Sequence, residues 1–287
     1  MKKIYLGLAI LIIFSLFYFW YFSFSFDSNH FKQFLNKNQT INNEQKQIVI
    51  SKTKKQNIPL NIYQTWATKE MPSNMRKCIE QMKYLNPEFK HHLFDDEDCR
   101  QFIQSNFDAS VLAAFDKLIP GAYKADLWRC CILYKKGGIY VDIKFECING
   151  FKLIELIDKE YLVMERCGFW KPGKHGIYNG VMVCKKGSPI LLETINKIVK
   201  NVEGENYEIN PFYPTGPGLL GELYFNSNNN KYDDFSLFYC HPNIVYKNTI
   251  VLQPYKEYRE EQNQYQTSKH YMEMWYNKNI YKKSNLI

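Results

Sequence analysis

Ala122-Tyr-Lys-Ala-Asp126-Leu-Trp-Arg129-Cys-Cys-Ile-Leu-Tyr-Lys-Lys136-Gly137-Gly138-Ile-Tyr140-Val-Asp142-Ile-Lys144 is the stretch that decides the fold of this chain. Tyr123, Leu127, Cys130 or Cys131, and Tyr134 recur at helical spacing and form one apolar stripe, and Gly137-Gly138 ends the run. Asp126 and Arg129, at i and i+3, stand off that stripe together, which predicts an exposed pair. Ile139-Tyr140-Val141-Asp142 then begins a strand that terminates near a carboxylate. Ligands bind outside the carboxyl ends of strands in an open α/β sheet, so Asp142 falls where a ligand site belongs.

The residues to either side continue the alternation. Ile58 to Thr65 carries apolar residues at 58, 60 and 62, as a strand would. Met75, Ile79, Met82 and Leu85 have helical spacing and stop before Pro87. Phe89 to Phe94 is a second short strand. The cluster Asp95-Asp96-Glu97-Asp98 suits the positive end of a following helix better than a metal site. Strand, helix, strand, helix predicts an α/β fold with a mixed, mainly parallel sheet flanked by helices. Beyond Asp142, strands are expected at Tyr161 to Glu165 and Gly180 to Cys184. A helix carrying Ile190, Leu191, Ile195, Ile198 and Val202 follows, another opens at Gly216-Pro217-Gly218, and Asn226 to Asp234 reads as a polar loop. Short strands and a Tyr-rich tail are expected from Phe235 onward.

Composition sets the frame around this body. Of 287 residues, 45% are hydrophobic and 16% aromatic, which excludes a disordered chain and requires a sizeable core. The net charge of +8 comes largely from scattered lysines, and no zinc-finger or RNA-recognition signature accompanies it, so no nucleic-acid partner is expected. The eight cysteines have no zinc-knuckle spacing and read as buried thiols. Ile4 to Phe26 is a run of 23 residues without a charge, preceded by Lys2 and Lys3. It is long enough to cross about 30 Å of hydrocarbon and lacks a small-residue cleavage site. The chain therefore divides into an N-terminal membrane anchor (1–26), a polar stem (27–57) and one folded domain (58–287). The flanking lysines predict a cytosolic N-terminus and a lumenal body of the Golgi or ER type.

Asp126-x-x-Arg129 and Gly137-Gly138-Ile139-Tyr140-Val141-Asp142, taken with Ile58-Pro59 through Gln64-Thr65-Trp66, resemble the glycosyltransferases of the "sugar-binding region containing DXD" family. That family includes yeast Golgi initiating α-1,6-mannosyltransferases and bacterial capsular sugar transferases; the glucosyltransferase domains of large clostridial toxins are more distantly similar. The resemblance implies a GT-A type fold that moves a hexose from a UDP- or GDP-linked donor to a glycan, glycolipid or glycoprotein acceptor, with retention at the anomeric carbon. It also implies that Asp126 holds sugar or ribose hydroxyls, Arg129 contacts the sugar or diphosphate, and Trp66 lies against the base. Tyr140 is placed among the donor-binding residues. Asp142 is the first Asp of the DXD motif and anchors a divalent cation, Mn²⁺ by expectation. Asn179, in Tyr178-Asn179-Gly180-Val181, presents an amide to the transferring sugar. The residue chemistry agrees independently, since a sugar offers hydroxyls to carboxylates and a diphosphate needs cations.

The chain departs from the family at Asp142-Ile143-Lys144, where a lysine replaces the second acid. Lys144 is then either a donor-binding cation or a residue turned away from the site. Glu146 shares a strand face with Asp142, but about 13 Å of regular strand separates them, too far for one ion at metal–oxygen distances near 2.1 Å without a bend or a further ligand. His270 is the expected third member of such a shell. The alternative to an enzyme is a tethered sugar- or nucleotide-binding protein that lost catalysis with its second Asp.

Overall fold

Ile58 and Leu60 lead into strand β1 (Asn61–Thr65), and the chain then follows the predicted alternation. Helix α1 (Ser73–Leu85) buries Met75, Cys78, Ile79 and Met82, and Asn86 caps it ahead of Pro87. Strand β2 (Lys90–Phe94) follows, then helix α2 (Asp96–Asn106). Asp95 and Asp98 form a reciprocal capping box at its start, so the acidic cluster satisfies the helix N-terminus as expected. The computed structural model describes residues 56–165, 175–227, 235–265 and 269–283. The apolar run 4–26 and most of the predicted stem lie outside them, as do positions 228–234 of the polar loop. Among the described residues no helix is long and apolar enough to cross a membrane.

Helix α3 (Ala109–Lys117) precedes helix α4 (Gly121–Lys136), which ends at Gly137 as the Gly-Gly pair predicts. Both glycines have positive φ, +64° and +124°. A Cβ on Gly138 would come within 2.7 Å of the Asn61 carbonyl, so the close turn from α4 into strand β3 (Gly138–Val141) requires glycine. The single apolar stripe expected on α4 is not what forms. Every residue from Asp126 to Leu133 is buried, because α4 is covered on several sides. It packs against β3, α3, strand β6 (Ile177–Cys184) and helix α5 (Pro189–Glu203).

The remaining strands are β4 (Phe145–Cys147), β5 (Tyr161–Glu165), β7 (Leu237–Cys240), β8 (Asn243–Tyr246) and β9 (Thr249–Pro254). The nine strands of the described residues form one sheet in the order β2-β1-β3-β6-β5-β7-β8-β9-β4. The expectation of a mainly parallel sheet is corrected here. The β1–β2, β1–β3 and β5–β7 pairs are parallel, whereas the other five neighbouring pairs are antiparallel. Parallel neighbours need long crossovers, which the helices supply on the β1–β3 side. Lys247 and Asn248, both with positive φ, instead join β8 to β9 as a two-residue hairpin.

Side chains alternate across the sheet. Tyr63, Tyr140, Met182 and Met164 face the helices, while Ile62, Ile139, Val141, Val181 and Val163 pack on the other side around Phe145 and the 3₁₀ turn Leu153–Leu156. A smaller cluster joins α1 to Ile143, Tyr255 and Tyr258, with Trp66 against it. Helices α6 (Pro217–Asn226), α7 (Tyr258–Tyr265) and α8 (Tyr271–Tyr276) complete the described residues. Cys78, Cys99, Cys130, Cys131, Cys147 and Cys184 are buried thiols, as composition predicts, whereas Cys240 is half-buried and Cys167 lies outside the described residues.

Candidate functional site

β1 and β3 run parallel, so their carboxyl ends, carrying Trp66 and Asp142, lie at one edge of the sheet. β3 runs antiparallel to β6, and the Asp142 amide donates to the Gly180 carbonyl at 2.7 Å. This pairing brings Tyr178 and Asn179 beside Asp142. A Cβ at Gly180 would collide with both Tyr178 and the Asp142 carboxylate, so the close approach depends on glycine at that position.

α4 delivers Asp126 and Arg129 to the same place. The two side chains were expected on an exposed helix face; instead Asp126 is 7% and Arg129 6% exposed. The sequence spacing reports only that they share a face, and here that face is turned inward toward β6 and the turn ahead of α6. Asp126 Oδ1 accepts from Asn179 Nδ2 at 2.9 Å and Oδ2 from Thr215 Oγ1 at 2.8 Å. Arg129 lies 3.4 Å from Asp126, donates to the Asn179 carbonyl at 2.8 Å and to the Ala125 carbonyl at 3.2 Å, and stacks over the Tyr140 ring. Burial pushes the Asp126 carboxyl above its usual range, opposed by Arg129 and by the Thr215 and Asn179 hydrogen bonds.

Asp142 is ringed by donors. Tyr140 Oη donates to Oδ1 at 3.0 Å and Tyr178 Oη to Oδ2 at 3.2 Å. Lys144 Nζ lies 3.1 Å from Oδ2, and Arg129 3.7 Å from Oδ1. Burial alone would raise this carboxyl, but Lys144 and Arg129 hold it below the ordinary carboxylate range. Two carboxylates and two cations therefore make a cluster whose formal charges cancel. Lys144 points inward, with its ammonium 5.1, 5.6 and 6.0 Å from the ring centres of Phe145, Tyr178 and Tyr258.

The other predicted residues fall out differently. Tyr140, expected against the donor, is 1% exposed, and its hydroxyl positions Asp142. Glu146 lies on β4, where its carboxylate accepts from Gln253 at 2.7 Å, and His270 caps α8 by accepting from the Met272 amide. Asp142, Glu146 and His270 are not brought together as the shell for one ion. Among the described residues no three His, Cys, Asp or Glu side chains gather as a metal site requires. A divalent ion bonded to Asp142 would also face the Lys144 ammonium, which lies 3.1 Å from Oδ2, and the like charges would repel. The side chains present do not fit the cation that the resemblance implies.

Thr215, Tyr178 and Glu165 join the neighbourhood without having been singled out in the sequence. Tyr178 stood beside Asn179, and Thr215 immediately precedes the Gly216-Pro217-Gly218 turn; both signals were adjacent to ones that were read. Glu165, at the carboxyl end of β5, has a buried oxygen with no hydrogen-bond partner among the described residues, and burial pushes its carboxyl up to about 7. A surface cleft of about 440 Å³ lies past the end of β1, lined in part by Thr68, Asp96, Arg100 and Lys124, and none of the cluster side chains lines it.

This arrangement can accept hydroxyls at carboxylates and oppose an anion with two cations. Residues 72–163 match the family model of the glycosyltransferase sugar-binding region containing DXD motif. The match contains Asp126, Arg129, Tyr140, Asp142, Lys144 and Glu146, and the resemblance seen in the sequence holds over that stretch. The chain is 29% identical over 172 residues to inositol phosphoceramide mannosyltransferase 3 of Schizosaccharomyces pombe, covering 58% of this chain and 45% of that protein. It is 26% identical over 208 residues to the initiation-specific alpha-1,6-mannosyltransferase of Candida albicans, covering 60% and 54%. This chain thus spans about half the length of the curated relatives it matches. Among solved structures it is similar to PaToxG glycosyltransferase, with a TM-score of 0.44 and 17% identity over 60% of this chain and 70% of that one.

Proposed function

We propose that this protein is a glycosyltransferase that moves a hexose from a UDP- or GDP-linked donor to a glycan or glycolipid acceptor, with retention. The observation that carries the reading is the convergence of Asp126, Arg129, Asp142, Lys144, Asn179 and Thr215 at the carboxyl edge of the sheet. The relatives' names favour mannose as the hexose and a lipid or glycan acceptor. A GT-A type fold is the matching architecture. In this reading Asp126 accepts donor hydroxyls, Trp66 stacks on the base, Asn179 presents its amide to the transferring sugar, and Tyr140 and Tyr178 hold Asp142 in place. Arg129 and Lys144 stabilise the departing nucleoside diphosphate, whose charge grows as the anomeric C–O bond breaks. Among the described residues no carboxylate stands as a nucleophile, so in this reading the acceptor oxygen attacks from the face that the diphosphate leaves, and its proton passes to a departing phosphate oxygen. The uncharged run Ile4 to Phe26 anchors the chain, with the N-terminus cytosolic and the body lumenal.

Release of nucleotide from UDP- and GDP-hexoses by the full-length chain tests this. One donor is expected to be cleaved, with the product anomer retained by proton NMR. Asp126→Ala should lower donor affinity about ten- to a hundredfold. Lys144 in place of the second acid favours the alternative of a tethered binding protein, and donor binding with no nucleotide release would establish that alternative. An inverted product would remove the front-face step.

A further inference from the structure

We infer that the site binds the diphosphate of its nucleotide without a divalent cation, the neutralising charge coming from Lys144 and Arg129. The inference rests on the nucleotide-sugar reading above and concerns only what faces the phosphates. Both oxygens of Asp142 are already engaged, Oδ1 by Tyr140 and Arg129 and Oδ2 by Lys144 and Tyr178. An ion bonded at about 2.1 Å to either oxygen would have to displace a donor and then face a cation that the protein itself supplies. Among the described residues no three His, Cys, Asp or Glu side chains gather to form its shell, and the neighbouring acid, Asp126, is already held by Asn179, Thr215 and Arg129.

Lys144 is held where such an ion would act. Its carbonyl accepts from the Tyr255 amide at 2.9 Å, which fixes the main chain at the turn between β3 and β4. Its ammonium lies among the rings of Phe145, Tyr178 and Tyr258, beside the Asp142 carboxylate. The side chain is 17% exposed, so the ammonium is neither on the open surface nor sealed off. An ammonium has three donors, and one directed at Asp142 leaves others for phosphate oxygens. Arg129, over the Tyr140 ring, adds a second cation on the far side of the same carboxylate. Hydrogen bonds from both to phosphate would be charge-assisted.

Calorimetric titration of the full-length chain with UDP and GDP, in EDTA and in Mn²⁺, decides the matter. Electron paramagnetic resonance would follow Mn²⁺ alone. The nucleotide that binds should do so with the same affinity, within about twofold, in both buffers. Lys144→Ala should weaken binding in EDTA by about tenfold or more, and Lys144→Met, which keeps an apolar stem, should do the same if the charge is the cause. Lys144→Asp restores the Asp-x-Asp pair and should acquire both Mn²⁺ binding and Mn²⁺-dependent affinity. Thermal unfolding of each variant confirms that it is folded. A loss of about tenfold or more for the wild type in EDTA would overturn the inference, as would unchanged affinity in Lys144→Met. Mn²⁺ binding by the wild type as tight as by Lys144→Asp would also overturn it. A nucleotide bound only with Mn²⁺ leaves the glycosyltransferase reading standing and removes this inference alone. Failure of both nucleotides in both buffers removes the donor reading and this inference with it.

Discussion

Glu261 and Asp126 are buried to nearly the same degree, 8% and 7% exposed, yet they are held in opposite ways. Glu261 reaches from α7 to the first turn of α1. There it accepts from the amides of Asn74 and Met75 at 3.1 Å, from Asn74 Nδ2 at 2.9 Å and from Tyr255 Oη at 2.9 Å. These donors are neutral, and two belong to the main chain at a helix start, where such amides need an acceptor. Asp126 and its neighbour Asp142 are held instead by the ends of side chains: Asn179, Thr215, Tyr140, Tyr178, Arg129 and Lys144. Main-chain donors cannot turn to another partner without undoing the helix, whereas side-chain ends can re-pair with a ligand. A carboxylate of the first kind stabilises; around one of the second kind the donors can turn toward a ligand.

The largest expected effect tests the second assembly. Arg129→Ala leaves the buried Asp126 and the half-buried Asp142 without their shared cation and should destabilise the body by about 3–5 kcal/mol, read as a lowered denaturant midpoint. Donor binding should disappear in the same variant. Undiminished stability would mean that Asp126 and Asp142 do not depend on Arg129. Glu261→Ala should cost about 2–4 kcal/mol by leaving the α1 amides and Tyr255 unpaired. Its folded fraction should bind nucleotide as the wild type does, and impaired binding there would collapse the distinction between the two carboxylates.

Glu165 supplies an intermediate case, half-buried but with one sealed oxygen that has no hydrogen-bond partner among the described residues. Its folded-state value near 7 lies above the ordinary 4.5 of an unfolded chain. Between those values the folded state keeps a proton that the unfolded state has released, so stability falls as pH rises through that window and levels off above it. The loss amounts to about 2–3 kcal/mol, and Glu165→Gln should abolish it in denaturant titrations at pH 5 and at about pH 8. A wild type equally stable at both, apart from what Glu165→Gln also shows, would place Glu165 in contact with water.

Sequence reading succeeded where one residue's neighbours in the chain are also its neighbours in space. The α1 stripe from Met75 to Met82, the acidic start of α2 and the Gly137 stop were all legible for that reason. The antiparallel half of the sheet was harder. β6 is buried on both faces and offers no alternation, so its start at Ile177 and its direction depend on β3 and β5. Asp126 and Arg129 were found by spacing and motif, but their burial was not, because charged residues on a helix ordinarily mark the wet face. Thr215 lies 89 residues from Asp126, and Glu261 lies 187 from Asn74; such pairings leave no local trace in the chain. Lys144 was legible as a departure, and only the turn into β4 decides that it points inward.

The aromatic walls around Lys144 carry a thermodynamic consequence. A lysine free in water carries about 2 kcal/mol of rotamer entropy, and most anion sites built from surface lysines lose it when the ligand arrives. The Asp142 carboxylate and the surrounding rings of Phe145, Tyr178 and Tyr258 hold this ammonium in the folded chain before any ligand is present. The freedom of Lys144 is therefore lost during folding, in the same event that orders β3 and β4, and little remains to be lost on binding. Anion binding here should be less opposed by entropy than at an exposed lysine of equal charge.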